Sequence, residues 1–245
     1  MTALAEIQGH TFYPRALGPT SVVFDLGAAS GGFALGVREL SGARCFAADA
    51  SPSAFELLAE APGVTGFNLA LGGTDGRVRM DIGGHEGERY WARQGNDQGV
   101  ADTDGAVEVE GITFAGFKRR AGVDFVDLVK LDIEGAEFDF FDAASDADLA
   151  NVGQWSVEFH DFLDPSLAPK VAAVIRRMEG LGFATVVMTR HAHGDVLFLN
   201  RAHLGLDGWQ LFCMRWPLKY GRGIRRMLRR GLGLGPGSGQ GKEAA

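Results

Sequence analysis

The chain has 245 residues, of which 46% are hydrophobic and 22% are charged, and its mean hydropathy is close to zero. This composition predicts one globular domain with a sizeable core and excludes fibrous, disordered and membrane-embedded chains. The net charge of -7 is unevenly distributed, because eight basic residues and one acidic residue follow Met214, which leaves 16 basic and 30 acidic residues before it. The excess of acidic residues before Arg215 would repel a phosphate backbone and therefore disfavours nucleic-acid binding.

Apolar runs of strand length alternate with helical patterns from about residue 22 to residue 200. This alternation is typical of a parallel sheet flanked by helices. Strands are predicted at Val22–Leu26, Arg44–Ala48, Val64–Leu71, Arg77–Ile82, Val107–Val109, Phe125–Asp132, Trp155–Phe159, Ala184–Thr189 and Val196–Asn200. Helices are predicted at Phe33–Leu40, Ser53–Glu60, Phe114–Ala121, Ala136–Ala143 and Ala168–Leu181. A short loop joins the last two strands and permits only an antiparallel hairpin. The expected fold is a doubly wound, seven-stranded, mostly parallel α/β sheet with a C-terminal antiparallel hairpin.

The first predicted strand ends in a glycine turn that suits a nucleotide-like ligand, because a helix with exposed N–H groups follows it. Gly27 and Gly31 have the spacing GxxxG, which differs from the GxGxxG typical of a pyrophosphate site. Asp25, at the end of the strand, would repel pyrophosphate and attract an ammonium group, such as that of S-adenosylmethionine. Asp49 ends the second strand, where a carboxylate can accept hydrogen bonds from ribose hydroxyls. The structural alternative is a tight turn with an N-cap carboxylate.

The fourth core strand ends in the most distinctive motif, Lys130-Leu131-Asp132-Ile133-Glu134-Gly135-Ala136-Glu137. Together with Val23-Phe24-Asp25-Leu26-Gly27-Ala28, Asp49-Ala50-Ser51-Pro52 and Gly194-Asp195-Val196-Leu197-Phe198, it resembles the FkbM family of S-adenosylmethionine-dependent methyltransferases over about residues 20 to 200. The resemblance implies a class I, Rossmann-like methyltransferase fold and methyl transfer to a hydroxyl of a sugar, glycan or natural product. The candidate cofactor-binding residues are Asp25, Gly27, Ala28, Ser30, Gly31, Asp49, Ala50 and Asn68. The second-strand acid, commonly Glu in such sequences, is Asp49 here.

Four ionisable residues at the ends of the fourth and fifth core strands are the catalytic candidates: Asp132, Glu134, Glu158 and His160. Each pair has i, i+2 spacing, so either could hold the acceptor or remove its proton. His160 titrates near neutrality and is the more natural proton acceptor. Asp132 and Glu134 could instead ligate a hard divalent cation, although no metal-ligand set is assigned. The structural alternative has Lys130 neutralising Glu134 or Glu158, while Glu137 complements the start of a helix.

Two further groups of residues have competing interpretations. His191 and His193 could bind zinc, but no third ligand is visible and a polar hairpin is favoured. Tyr90, Trp91 and Arg93 could cover a sugar or anchor a packed loop.

The C-terminal region differs in composition from the rest of the chain. We expect a methyltransferase domain over residues 1–200, a basic amphipathic extension over 201–230 and a disordered tail over 231–245. Residues 209–230 are a candidate for peripheral membrane contact, and packing on the protein's own body is the alternative. Without a signal-peptide pattern, a membrane-spanning run or a cysteine framework, the expected location is cytoplasmic, with peripheral contact at the inner face of the membrane.

Two other functions remain open at this point. The same fold could serve a nicotinamide-dependent oxidoreductase, which Asp25 and the glycine spacing disfavour. It could also serve as a binding module without turnover.

Overall fold

The computed structural model describes residues 4–81, 106–189 and 192–216. Of the described residues, those up to Leu206 form one compact unit, and those from Asp207 to Trp216 belong to a second. The strands are β1 (Ala5–Ile7), β2 (His10–Phe12), β3 (Val22–Leu26), β4 (Arg44–Asp49), β5 (Val64–Asn68), β6 (Ala70–Leu71), β7 (Gly76–Asp81), β8 (Ala106–Ile112), β9 (Val126–Leu131), β10 (Val152–Val157), β11 (Phe183–Val187) and β12 (Val196–Asn200). The helices are α1 (Gly32–Ser41), α2 (Pro52–Ala59), α3 (Phe114–Ala121), α4 (Glu137–Ala143), α5 (Asp146–Ala150), α6 (Ala168–Gly180), α7 (Arg201–Leu204) and α8 (Gly208–Trp216).

The main sheet has seven strands in the order β11-β12-β10-β9-β3-β4-β5. Neighbouring strands from β10 to β5 are parallel, and β12 is antiparallel to both β10 and β11. The predicted seven-stranded fold with its C-terminal hairpin is confirmed. Because β3, β4, β9 and β10 run in one direction, their carboxyl ends meet at one edge of the sheet.

The third predicted strand, Val64–Leu71, is wrong as a single element, because the structure divides it into β5 and β6. β5 pairs with β4 in the main sheet, whereas β6 pairs with β8 in a separate three-stranded sheet that also contains β7. The chain changes partners at Leu69, whose N–H donates to the carbonyl of Asp49 over 3.1 Å. Tyr90, Trp91 and Arg93 lie outside the described residues, so their role stays a prediction.

An N-terminal hairpin of β1 and β2 was not expected from the sequence. Each strand has only three residues, which is too short for a periodic signal. Side chains tie the hairpin to the main sheet: Tyr13 exchanges two hydrogen bonds with the Gln154 amide, at 2.7 and 3.1 Å, and Thr11 donates two to Asp195.

The larger core cluster is rich in aromatic rings that pack edge to face. Phe24 on β3 lies 4.8 Å from Phe117 on α3, and Phe140 on α4 lies 6.0 Å from Trp155 on β10, between ring centroids. A second cluster contains Phe33 and Cys45. Burial raises the pKa of the Cys45 thiol to about 12, which leaves the thiol protonated and unreactive.

The second unit contains α8, which the sequence analysis did not predict. Asp207 accepts a hydrogen bond from the N–H of Gln210 over 2.7 Å at the start of this helix. Trp209 and Phe212 are 69% and 46% exposed, and their rings stack with centroids 5.5 Å apart. Within the described parts of the chain, no helix is long and apolar enough to cross a bilayer. The basic stretch from residue 217 onward lies outside them.

Candidate active site

An open cleft lies at the carboxyl ends of the central parallel strands. Its lining combines backbone, apolar side chains and three carboxylates: Gly27, Ala29, Ala48, Asp49, Ala50, Leu69, Ala70, Leu71, Asp132, Ile133, Glu134 and Ala136. The cleft therefore occupies the place where open α/β sheets bind ligands.

The turn after β3 brings two strand ends into direct contact. Gly27 has a φ of +77°, and a Cβ on it would lie 1.7 Å from the carbonyl oxygen of Asp132. Only glycine fits this approach. Ala29, two residues further, has a φ of +47°, and Glu134 on the facing loop has a φ of +53°. These left-handed non-glycine residues both line the cleft, where backbone strain of about 1–3 kcal/mol each is common at functional sites.

Asp49 lines the cleft and is held by backbone N–H groups. Its two carboxylate oxygens accept hydrogen bonds from Ala29 at 2.7 Å and Ser51 at 2.8 Å. Burial raises the pKa of Asp49, and these two hydrogen bonds partly oppose the shift. Asn68 donates from its amide to the carbonyls of Asp49 and Ala50, at 2.9 and 3.1 Å, and so fixes the end of β4 without lining the cleft.

The remaining residues of the turn do not line the cleft directly. Ala28 is buried and donates its N–H to the carbonyl of Ala48. Ser30 is exposed, and Gly31 precedes α1. They build the turn around the cleft wall.

The sequence analysis expected Asp25 to contact the ammonium group of S-adenosylmethionine, but the Asp25 side chain is fully buried. One carboxylate oxygen accepts the N–H of Ala34 at the start of α1 over 3.1 Å, and the other lies 3.5 Å from the ammonium of Lys130. No surface of Asp25 reaches the cleft in this arrangement. The carboxylate instead stabilises the start of α1 and the lysine.

Lys130 pairs with Asp25 and Asp132, and not with Glu134 or Glu158 as the structural alternative proposed. Its ammonium lies 3.5 Å from Asp25, 3.3 Å from Asp132, and donates to the carbonyl of Gly27. Burial alone would lower the pKa of Lys130, but the two carboxylates more than offset this effect and raise it. Lys130 is therefore a buried cation that joins the glycine turn to Asp132.

His10 is a site residue that the sequence analysis missed. It lies on β2, is almost fully buried, and places Nε2 3.5 Å from Asp132 and 4.0 Å from Glu158. Burial alone would raise the pKa of Asp132, but His10 and Lys130 lower it to about 2. The only sequence signal was an isolated histidine in a short polar and apolar stretch, which is common in cores.

His160 is held between two carboxylates. Its Nδ1 lies 3.1 Å from Glu137 and its Nε2 lies 3.2 Å from Glu134. Burial alone would lower the pKa of His160, but these two carboxylates raise it to about 10. The two carboxylates therefore move the pKa of His160 above the neutral range that the sequence analysis expected, and its role as a proton acceptor stays a prediction.

Glu137 does more than complement a helix start. Its side chain is fully buried, and one oxygen accepts the N–H groups of Ile133 and Gly135, at 3.2 and 3.1 Å, as well as contacting His160. The residue thus fixes both the loop after β9 and the imidazole ring.

Glu158 completes the cluster at the end of β10. Burial raises the pKa of its carboxyl group, and the nearby charge of Asp132 adds to the shift. The structure thus brings Asp132, Glu134, Glu158 and His160 together, and their catalytic roles stay predictions.

His193 also has a carboxylate partner. Its Nδ1 lies 2.7 Å from Asp161, which is buried and also accepts the His193 N–H. This contact joins His193, which precedes β12, to Asp161, which follows β10, and the proposed zinc role of the two histidines stays a prediction. His191 lies outside the described residues.

Comparison with known proteins supports this architecture. The family model described as "Methyltransferase FkbM domain" matches residues 25–184, which include the ends of β3, β4, β9 and β10. No curated protein matches the chain significantly.

Among solved structures, methyltransferase FkbM from Methylobacillus flagellatus KT is 12% identical with a TM-score of 0.46, and the match covers 75% of this chain and 44% of that one. Precorrin-6y C5,15-methyltransferase from Geobacter metallireducens GS-15 is 14% identical with a TM-score of 0.39, covering 74% and 79%. The fibrillarin pre-rRNA processing protein of Methanococcus jannaschii is 12% identical with a TM-score of 0.43, covering 80% and 69%. Because these TM-scores are below 0.5, the assignment depends on the family model. The chain belongs to the FkbM methyltransferase family, which implies S-adenosylmethionine as its cofactor.

Proposed function

We propose that the chain methylates a hydroxyl group of a sugar, glycan or natural product. The observation that carries this proposal is the asymmetry of the cleft, which has a glycine turn and Asp49 on one side and Asp132 and Glu134 on the other. Hydroxyl groups donate hydrogen bonds to carboxylates, so the acidic side suits a polyhydroxylated acceptor.

The residues on the first side fit the cofactor. Gly27 leaves no side chain between the turn and Asp132, and Asp49 presents a carboxylate suited to ribose hydroxyls. Leu69 and Leu71 provide an apolar wall for a base. When bound, S-adenosylmethionine supplies an electrophilic methyl group.

The second side must hold the acceptor and remove its proton. Asp132 is a weak base, because its pKa is about 2, and His160 already carries a proton in this arrangement. Glu158 is the better candidate base, since burial raises its pKa and its side chain is 29% exposed. In this role the Glu158 carboxylate would accept the hydroxyl proton as the acceptor oxygen takes the methyl group, and S-adenosylhomocysteine would be the leaving group.

Turnover of hydroxylated acceptors tests the proposal. The purified chain is incubated with S-adenosylmethionine and a panel of sugars, glycans and hydroxylated natural products, and release of S-adenosylhomocysteine is measured together with the mass of the product. We expect Asp132→Asn to lower turnover far more than cofactor affinity, while the exposed Glu179→Gln on α6 stays at the wild-type rate. Cofactor binding without turnover of any acceptor would favour the binding module.

For the C-terminal region we propose a peripheral contact with anionic membrane at the inner face, which implies a cytoplasmic location. The exposed, stacked rings of Trp209 and Phe212 support it, since such side chains favour membrane interfaces. Each basic residue near an anionic surface contributes about 1 kcal/mol, so the arginine-rich sequence that follows suits such a surface. Cosedimentation with anionic and neutral vesicles, for the full chain and for one ending at Gly221, tests this. Equal binding by the full and the shortened chain, or no binding by either, would contradict a role for the basic stretch.

A further inference from the structure

Three donor atoms at the acidic side of the cleft surround one point. Asp132 Oδ1 and Glu134 Oε2 lie 3.8 and 3.2 Å from Nε2 of His160. Each of the three residues offers one ligand atom within 4.8 Å of the ligand atoms of the other two. Ligands about 2.1 Å from a shared cation are separated by about 3 to 4 Å, so the spacing fits a single ion.

Asp132 Oδ1 is an independent indication of a missing partner. This oxygen is buried and accepts no hydrogen bond from any of the described residues. A buried carboxylate oxygen normally has a donor or a cation beside it. Of the two Asp132 oxygens, Oδ2 lies close to Lys130 and His10. Oδ1 accepts no hydrogen bond, and the nearest described cationic group, Nε2 of His160, is 3.8 Å away.

Glu137 supplies the support that a metal-binding histidine requires. It contacts Nδ1 of His160 and leaves Nε2 directed at Glu134 and Asp132. A carboxylate on the second ring nitrogen fixes the orientation and raises the basicity of metal-bound histidines. Because Glu137 is itself held by two backbone N–H groups, the ring has little freedom to turn away.

The charge balance around the cleft also favours a cation. Asp132, Glu134 and Glu137 each lie within 3.8 Å of a ring nitrogen of His160. Among the described residues, the buried cation Lys130 pairs with Asp25 and Asp132 and with neither of the two glutamates. A divalent ion bound by two carboxylates would reduce this excess of negative charge.

A second group of donors, His10, Asp132 and Glu158, also has suitable spacing. Lys130 lies 3.3 Å from the Asp132 oxygen that faces this group, so a cation already occupies that side. The two groups share Asp132 but use different oxygens, and only the group with His160 has an unpartnered one.

We propose that Asp132, Glu134 and His160 bind a divalent transition-metal cation such as Mn²⁺, with Glu137 as the positioning residue for the histidine. Two carboxylates and one imidazole suit such an ion, which would displace the proton from Nε2 of His160 when it binds. Asp132 and Glu134 line the cleft, so the ion faces the space for the acceptor and can lower the pKa of a hydroxyl bound to it. The site does not depend on which acceptor is methylated.

Mn²⁺ binding to the full chain, without cofactor or acceptor, tests the site separately from methyl transfer. The chain is stripped with a chelator and titrated with MnCl₂, and free Mn²⁺ is followed by electron paramagnetic resonance. We expect one saturable site per chain. Glu134→Gln and Asp132→Asn should each weaken binding by about 100-fold, and Glu137→Gln by about 10- to 100-fold. Glu179→Gln on α6 should bind as the wild type does.

Pulsed spectra of bound Mn²⁺ identify the histidine, because a coordinated imidazole nitrogen modulates the echo. We expect this modulation in the wild type and in His10→Asn, and its loss in His160→Asn. If His160→Asn does not fold, as judged by circular dichroism, the titration of Glu134→Gln decides, since that side chain is partly exposed. Absence of saturable binding, unchanged affinity in Glu134→Gln, or loss of the nitrogen signal in His10→Asn would overturn the site.

Discussion

The two sides of the cleft differ in the groups that form them, which are backbone groups on one side and side chains on the other. The turn side, residues 27–31 with Asp49, is made by backbone groups: its carboxylate accepts from two N–H groups, and glycine allows the chain to touch Asp132. On the charged side, Asp132 and Glu134 line the cleft and belong to a network of side chains that contact one another. The other members of this network are His10, Lys130, Glu137, Glu158 and His160.

We infer from this difference that the turn side serves the cofactor, which all such enzymes share, and that the charged side serves the acceptor, which differs between them. A backbone turn holds a common cofactor with few sequence requirements beyond a glycine and an acid. A network of side chains can be altered residue by residue to suit an acceptor. The two sides meet at Gly27, Lys130 and Asp132, so substitutions there should affect both.

The largest effect is expected for Gly27→Ala. The added methyl group would overlap the Asp132 carbonyl oxygen at 1.7 Å, and neither backbone can move without shifting a strand end. We expect loss of the soluble fold, or a folded chain without cofactor binding and turnover.

Gly122→Ala is the matched control for Gly27→Ala. Gly122 also has a positive φ, of +66°, but an added Cβ meets nothing within 4 Å. Gly122→Ala should lower the unfolding free energy by only about 1–2 kcal/mol, which is the strain of an alanine in the left-handed conformation. Chemical denaturation and calorimetry with S-adenosylhomocysteine measure both variants, and similar behaviour of the two would contradict the steric argument.

The next largest effect is expected for Lys130→Met, which removes the buried cation between the two sides. Asp25 and Asp132 would both lose their buried lysine partner, and breaking a buried pair in this way costs about 3–5 kcal/mol. Asp25→Asn in the same chain should restore part of the loss, because an amide oxygen can still accept from Ala34. Urea denaturation of the single and double variants gives the coupling. A loss below about 1 kcal/mol in Lys130→Met would contradict this role for the lysine.

Asp49→Asn should affect the turn side alone. An amide accepts from fewer partners than a carboxylate and carries no charge, and a hydrogen bond to a charged group contributes about 1.5–3 kcal/mol. We expect cofactor affinity to fall by about 10- to 100-fold, while Mn²⁺ binding at the charged side stays unchanged. Calorimetry with S-adenosylhomocysteine measures the first quantity. A parallel loss of Mn²⁺ binding would show that the two sides are not separate.

The sequence predicted the turn side better than the charged side, for physical reasons. Strand periodicity and glycine spacing are local, so β3, its turn and Asp49 could be located. The same reasoning placed Asp132, Glu134, Glu158 and His160 at one edge, because parallel strands end together. His10 was missed because it reaches this edge from a hairpin of two three-residue strands, and it precedes the region matched by the family model.

Strand register explains the other errors. Asp25 and Lys130 lie directly opposite each other on β3 and β9, which buries the carboxylate that was expected to meet the ligand. Periodicity gives the order of elements but not which residues face across strands. Likewise, no glycine, proline or break in the pattern at Leu69 indicates that the strand predicted from Val64 to Leu71 changes there from one sheet to another.

The smallest effect is expected for Thr11→Val, which acts on the charged side through the hairpin that carries His10. The Thr11 hydroxyl donates to Asp195 over 2.6 Å, and the substitution keeps the backbone N–H but removes this donor. A buried carboxylate oxygen left without it costs about 1–3 kcal/mol. Thr65 is an exposed threonine on β5, at the turn side. The unfolding free energy of Thr65→Val should stay within about 0.5 kcal/mol of the wild type.

The pH dependence of the Thr11→Val effect identifies its cause. Burial raises the pKa of Asp195, and hydrogen bonds from Thr11 partly oppose the shift, so removing the hydroxyl should raise the pKa further. The lost donor stabilises mainly the ionised carboxylate, so the difference from wild type should be full at neutral pH and shrink as Asp195 is protonated in mild acid. Urea denaturation of both proteins at neutral pH and in mild acid measures this difference in unfolding free energy. Calorimetry should show the same cofactor affinity for Thr11→Val and the wild type. A difference independent of pH would assign the effect to packing and not to the hydrogen bond that holds the hairpin beside Asp132.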